Sequence, residues 1–132
     1  MASVSLDDVV QVAEFRAALR HFLRQSERVA AHHGLTPQRY LLLLMIKGAP
    51  DRSQRSTVTE LSQRLQLAQH TATELVGRAE QAGLITREWS GTDRRIAYLH
   101  LTPKGEGMLS KSFRDLQAER HALRALITGI DL

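Results

Sequence analysis

The chain has 132 residues, 42% of them apolar and 24% charged, which suits one compact domain with its own core and excludes a disordered one. Eighteen Lys and Arg against 14 Asp and Glu leave a formal charge of +4, a mild basic excess that permits an anionic partner without naming one. Cysteine is absent, which excludes disulfides, thiolate nucleophiles and thiol redox sensing. The longest apolar run, YLLLLMI, falls far short of the roughly 18–20 residues of a membrane span.

The N-terminus, MASVSLDDVV, is acidic where an export signal would be basic, so a cytoplasmic location is expected. Residues 6–33 carry one long helical pattern. Val12, Phe15, Leu19, Phe22 and Val29 form one apolar stripe, and Leu6, Val9, Val10, Ala13 and Ala17 form a second beside it. A helix with one partner needs one stripe, so two imply burial in its own domain and against a second subunit. In HHGLTP, Gly34 suits a left-handed cap, Thr36 an N-cap and Pro37 the first helical turn. The same Leu-Thr-Pro returns at Leu101 to Pro103 and predicts another helix start.

KGAPDRSQRS, residues 47–56, reads as a polar loop carrying Arg52 and Arg55. A short helix is predicted over 59–65, capped by Thr59, with Leu61 and Leu65 inward. After the QLA break a helix runs from Gln69 to Ala82, with Ala72, Leu75, Val76 and Ala79 on its inner face and Gly83 closing it. The period then changes to two. LITREWS and IAYLHL form a hairpin around GTDRR, with Ala97, Leu99 and Leu101 on one side. From Pro103 a final single helix carries Leu109, Phe113, Leu116, Leu123, Ile127 and Ile130. The expected fold is mainly α with a small β-hairpin. Two short helices across a tight turn make a helix-turn-helix, and the trailing hairpin makes it winged. Periodicity alone leaves a second choice open, an α+β domain whose hairpin merely covers a core.

The outward side of the Gln69 helix near its start presents Gln69, His70, Thr71, Thr73 and Glu74. Gln can contact adenine, Thr a thymine methyl, and Glu the cytosine amino group, while Arg78 one turn on would reach a phosphate. The plain alternative is a solvated polar face. Ala68 is a poor cap for this helix, at about 1 kcal/mol against Ser or Asn, and a phosphate bound at the helix start would offset part of that.

The stretch STVTELSQRLQLAQHTATELVGRAEQAGLITREWSGTDRRIAYLHLTPKGEGML resembles the DNA-binding core of the MarR family of bacterial transcription regulators. The carrying residues are Leu65, the QHTATE segment, Gly83-Leu84 with Arg87, Asp93-Arg94-Arg95, and Leu101-Thr102 with Gly105. LTPQRYLLLLMI extends the likeness to about residues 35–109. The resemblance implies one MarR-like domain over residues 1–132: a winged helix-turn-helix core at 35–102 between dimerisation helices at 6–33 and 103–130. It further implies a homodimeric, sequence-specific regulator of double-stranded DNA, a repressor on a pseudo-palindromic operator, often released by a small-molecule effector whose site here is unassigned. Recognition helices would enter successive major grooves, with Arg78 and Arg87 positioning the backbone. The family's minor-groove arginine matches Arg95, with Arg94 as phosphate neighbour, and Asp93 can hold the Arg95 guanidinium extended. Two departures stand out: many relatives have a basic residue at the position of Glu74, and Ser or Asn at that of Ala68.

His32 and His33 adjoin on the chain while His21, His70, His100 and His121 are scattered, so no metal-ligand spacing appears. KGEG lacks the strand and spacing of a phosphate loop, and no Ser/His/Asp arrangement is evident. No cofactor, no metal, no membrane partner and no enzymatic activity are expected. Two other readings stay open: a winged-helix protein-interaction module without DNA binding, and a histidine-based metal sensor.

Overall fold

The computed structural model describes residues 3–93 and 95–130. In chain order these form α1 (Leu6–His32), α2 (Pro37–Lys47), α3 (Val58–Leu65), α4 (Gln69–Gln81), β1 (Ile85–Trp89), β2 (Ala97–Leu101), α5 (Pro103–Asp115) and α6 (Gln117–Thr128). The fold is mainly α with one two-stranded antiparallel sheet.

α1 starts with Asp7 and Asp8 against the positive end of its dipole. Only Ala30 is fully buried on it, and residues 3–10 are exposed throughout. Phe15, Leu19, Phe22 and Val29 of the first stripe are half-buried, but Val12 is exposed together with Leu6, Val9 and Val10 of the second. The N-terminal part of α1 is therefore left uncovered by the described residues. Gly34 takes the predicted left-handed conformation at φ +84°, and the Leu35 N–H returns to the Ala30 carbonyl at 2.8 Å. Thr36 caps α2, accepting from the Arg39 N–H at 3.2 Å, and Pro37 stands at the first turn.

α3 departs from expectation at its start. Its cap is Thr57, not Thr59. Thr57 Oγ1 accepts from the Glu60 N–H at 3.2 Å and the Glu60 carboxylate accepts from the Thr57 N–H at 3.0 Å. This reciprocal box needs an acid three residues on, which Thr57 has and Thr59 lacks. Gln66, at φ 55°, makes the tight turn into α4. Ala68 gives α4 no side-chain cap, while Ala72, Leu75, Val76 and Ala79 are buried as their spacing predicts.

β1 and β2 pair from Ile85↔Leu101 to Trp89↔Ala97. The predicted loop before α3 contributes more than a connection: Ser56 bridges Leu99 with bonds of 2.8 and 3.2 Å, a one-residue third strand. The core packs Leu35, Leu42, Leu43 and Ile46 against Leu61, Val76, Leu84, Leu99 and Leu116.

The predicted single C-terminal helix is two helices, broken at Leu116. Leu116 is buried, and its N–H turns to the Phe113 carbonyl at 3.3 Å. Arg120 donates to that same carbonyl at 2.7 Å, and its guanidinium lies 3.8 Å from the Phe113 ring centroid. The bend lets Leu116 enter the core, and Arg120 satisfies a carbonyl at the helix end. α6 packs against α1, and Ile127 on it is exposed.

Candidate nucleic-acid interface

Helix α4 offers its outer side to solvent. His70, Thr73, Glu74 and Arg78 are exposed and Thr71 is half-buried. Glu74 and Arg78 form no ion pair among the described residues. Thr73 Oγ1 donates to the Gln69 carbonyl at 2.9 Å, an i−4 bond that leaves its methyl and a lone pair outward. With no capping side chain at Ala68, the leading N–H groups of α4 keep their donors open.

Gln69 is engaged elsewhere. Its Oε1 accepts from Ser62 Oγ at 3.3 Å and its Nε2 donates to Thr59 Oγ1 at 3.4 Å. Both ends of the amide thus tie α4 back to α3 by long bonds, each using one of its two donors or two lone pairs. Arg87 is likewise committed within the chain. It donates to both Glu80 oxygens, at 2.7 and 3.5 Å, and its guanidinium stands 5.8 Å from the Trp89 ring centroid. The pair is half-buried and links the last turns of α4 to β1, so Arg87 is placed to hold the wing's first strand.

The wing tip is built around Asp93. Ser90 Oγ accepts from the N–H groups of Thr92 and Asp93, both at 3.3 Å, and the Ile96 N–H closes on the Asp93 carbonyl at 3.1 Å. Asp93 Oδ1 then accepts from the Arg95 backbone N–H at 3.0 Å and from Nε at 3.3 Å, and Oδ2 from Nη2 at 3.4 Å. The backbone bond, then the side-chain bond, hold the Asp93 carboxyl below its ordinary range. Arg95 is 91% exposed. Asp93 thus bonds the backbone N–H, Nε and Nη2 of Arg95, the pairing expected from their spacing, and among the described residues no other group bonds the guanidinium. Arg94, the other wing arginine, lies outside the described residues. On the strands behind, His100 Nε2 meets Glu88 at 2.7 Å and Arg55 lies 4.0 Å from the Tyr98 ring centroid.

A cleft of about 340 Å³ joins these parts, lined by Thr57, Thr59, Gln69, Arg87, Trp89 and Arg95 among others. The start of α3, the start of α4 and the base of the wing therefore face one space. Thr57 and Trp89, the latter 58% exposed, escaped the sequence reading. Period-two alternation from the buried Ile85 through Arg87 reaches Trp89 on the same strand face, a signal that could have flagged it. Among the described residues no group of three His, Cys, Asp or Glu is arranged to hold a metal, and no helix is long and apolar enough to cross a membrane.

Residues 33–96 match the profile of the MarR family. The chain is 30% identical over 104 residues to the uncharacterized HTH-type transcriptional regulator YsmB of Bacillus subtilis, covering 76% of this chain and 68% of that protein. The chain belongs to the MarR family. A second relative, the HTH-type transcriptional regulator MhqR of Bacillus subtilis, is 32% identical over 87 residues, or 66% of this chain and 57% of that protein's length. Among solved MarR structures, a mutant MarR from E. coli complexed with operator DNA matches 98% of this chain and 89% of its own, with a TM-score of 0.68 at 16% identity. That likeness concerns the winged-helix fold alone, and the MarR-family relatives are helix-turn-helix transcriptional regulators.

Proposed function

We propose that this MarR-family chain is a sequence-specific double-stranded DNA-binding regulator, a homodimeric repressor on a pseudo-palindromic operator. One observation carries the reading: an exposed, carboxylate-bonded arginine at the wing and the uncapped start of α4 flank a single cleft. A narrow minor groove attracts such an arginine, and a duplex backbone crossing between the two grooves would run along that cleft. The E. coli MarR complex with operator DNA supports the reading through the shared fold.

In this account His70, Thr71, Thr73 and Glu74 face bases, Arg78 meets phosphate, and Arg95 enters the minor groove with Arg94 on the neighbouring phosphate. Gln69 and Arg87 position α4 and β1, through Thr59 and Ser62 in one case and Glu80 in the other. The exposed Val9, Val10 and Val12 of α1 and Ile127 of α6 form the dimer face, so residues 6–33 and 103–130 assemble the dimer and 35–102 read the operator. A mainly apolar cleft of about 430 Å³ between α2 and α5, rimmed by Lys47, Glu106 and Arg114, has the lining to take a small effector. The protein acts by binding, without catalysis. No observation favours an interaction module or a histidine metal sensor.

The test is binding to a duplex from the chain's own upstream region across a salt series. The expected result is tight, sequence-selective binding whose affinity falls steeply and log-linearly with salt. Equal affinity for scrambled duplexes, or none for any duplex, would overturn the proposal.

A further inference from the structure

We propose that the opening of α5 clasps the end of recognition helix α4 and so sets which half-site spacing the dimer accepts. This rests on the DNA-binding homodimer proposed above. The backbone leaving α4 presents successive carbonyls at Ala82, Gly83 and Leu84, and each receives a donor from the segment that starts α5. Lys104 Nζ donates to the Ala82 carbonyl at 2.9 Å, Thr102 Oγ1 to that of Gly83, and the Thr102 N–H to that of Leu84 at 3.0 Å. The Thr102 hydroxyl also accepts from the Gly105 N–H at 3.1 Å as the cap of α5. Gly105 sits directly on the clasp: a Cβ there would stand 2.2 Å from the Leu84 carbonyl oxygen.

Of these carbonyls the Ala82 one, at the C-cap, belongs to the helix end, and the ammonium of Lys104 stands there, at the negative end of α4. The Leu84 bond continues the β1–β2 register and fixes the segment that leaves the helix. At its other end α4 is tied to α3 through Gln69. One turn into α5, Glu106 pairs with Lys47 of α2 at 2.8 Å. The recognition helix is thus indexed to α5, the helix that leads into the dimer face. Two recognition helices must reach grooves about 34 Å apart. An operator with one base pair added or removed asks each α4 to swing relative to α5, and the swing breaks clasp bonds. Bonds broken only in the misfit complex contribute to the spacing penalty and leave affinity for the fitted operator untouched. Lys104 and Thr102 are therefore positioning residues.

The experiment uses the full chain and the duplex it selects from a random pool, rebuilt with the central spacing unchanged, lengthened by one base pair and shortened by one. Lys104→Met keeps the aliphatic stem and removes the donor; Thr102→Val is the second variant. Dimer mass and melting temperature are recorded for each. The expected result is an unchanged Kd on the selected spacing for Lys104→Met, with the penalty on altered spacings reduced about two- to tenfold for each subunit that swings, the worth of one net hydrogen bond apiece. Thr102→Val should reduce that penalty at least as much in whatever fraction stays folded. An unchanged penalty in Lys104→Met would overturn the inference while leaving the DNA-binding proposal standing. A uniform loss across spacings with a shallower salt slope would also overturn it, making Lys104 a phosphate contact. Failure of the unsubstituted chain to select any duplex would overturn both.

Discussion

Replacing Arg95 by alanine tests the wing most directly. Arg95 is 91% exposed, and among the described residues its side chain hydrogen-bonds only to Asp93. An exposed ion pair of this kind adds little to folding, so melting temperature and dimer mass should stay within error. If the same guanidinium enters a minor groove of enhanced negative potential, as proposed, its loss should cost on the order of 1–3 kcal/mol for each half-site. At about 1.4 kcal/mol per tenfold change, that is roughly a five- to 150-fold weaker complex per wing engaged. The salt slope should also fall by about one counterion per half-site. The assay is fluorescence anisotropy on two operators that differ only in their flanks, one A·T-rich and one G·C-rich, over several salt concentrations. The loss should be larger on the A·T-rich flank, where the minor groove is narrow. Asp93→Ala should show a weaker form of the same flank dependence, since the charge remains while the groups that extend it are gone. Equal losses on both flanks would refute minor-groove entry, and an unchanged Kd on both would remove the wing from the interface.

Gly105→Ala should destabilise the fold by about 1–3 kcal/mol or more through overpacking, because the added Cβ meets a backbone oxygen at 2.2 Å; chemical denaturation reads this. Ala68→Ser should raise stability by about 0.5–2 kcal/mol, since Ala68 already holds an extended N-cap conformation at φ −61°, ψ 150° and lacks only the acceptor; an unchanged midpoint would contradict it. Light scattering at micromolar concentration should find twice the 14.8 kDa chain mass, while a monomer would leave the apolar residues of α1 unexplained. Glu74→Ala should change base preference at one or two positions of a selected operator rather than weaken all duplexes alike, as loss of a base-edge contact requires.

The reading head shows how unevenly the site could be read in advance. Asp93 and Arg95 stand two residues apart in a tight turn, and their bonding follows from that spacing. Gln69 and Arg87 looked equally available to DNA in the linear chain. Their partners lie seven to ten residues away on another element, Thr59 and Ser62 for the one and Glu80 for the other. A polar side chain on an outward face is open to a ligand only if no neighbouring element claims it, and that depends on how the elements pack.

The amino-acid sequence alone determined the features that neighbours within about four residues control. These are the caps at Thr36 and Thr102, the left-handed glycines at 34 and 83, the buried stripe of α4 and the hairpin. Each is decided by backbone donors and acceptors one helical turn apart or by a side-chain period, so it survives whatever the rest of the chain does. Tertiary structure alone decided the break at Leu116, which depends on a buried pocket for that side chain and on Arg120 reaching the Phe113 carbonyl. It also decided the third-strand bridge of Ser56 to Leu99 and the grip of Thr102 and Lys104 on the carbonyls that end α4. Those contacts join residues 18 to 43 positions apart, and their partners meet only after the core has brought the elements together, so no local pattern records them.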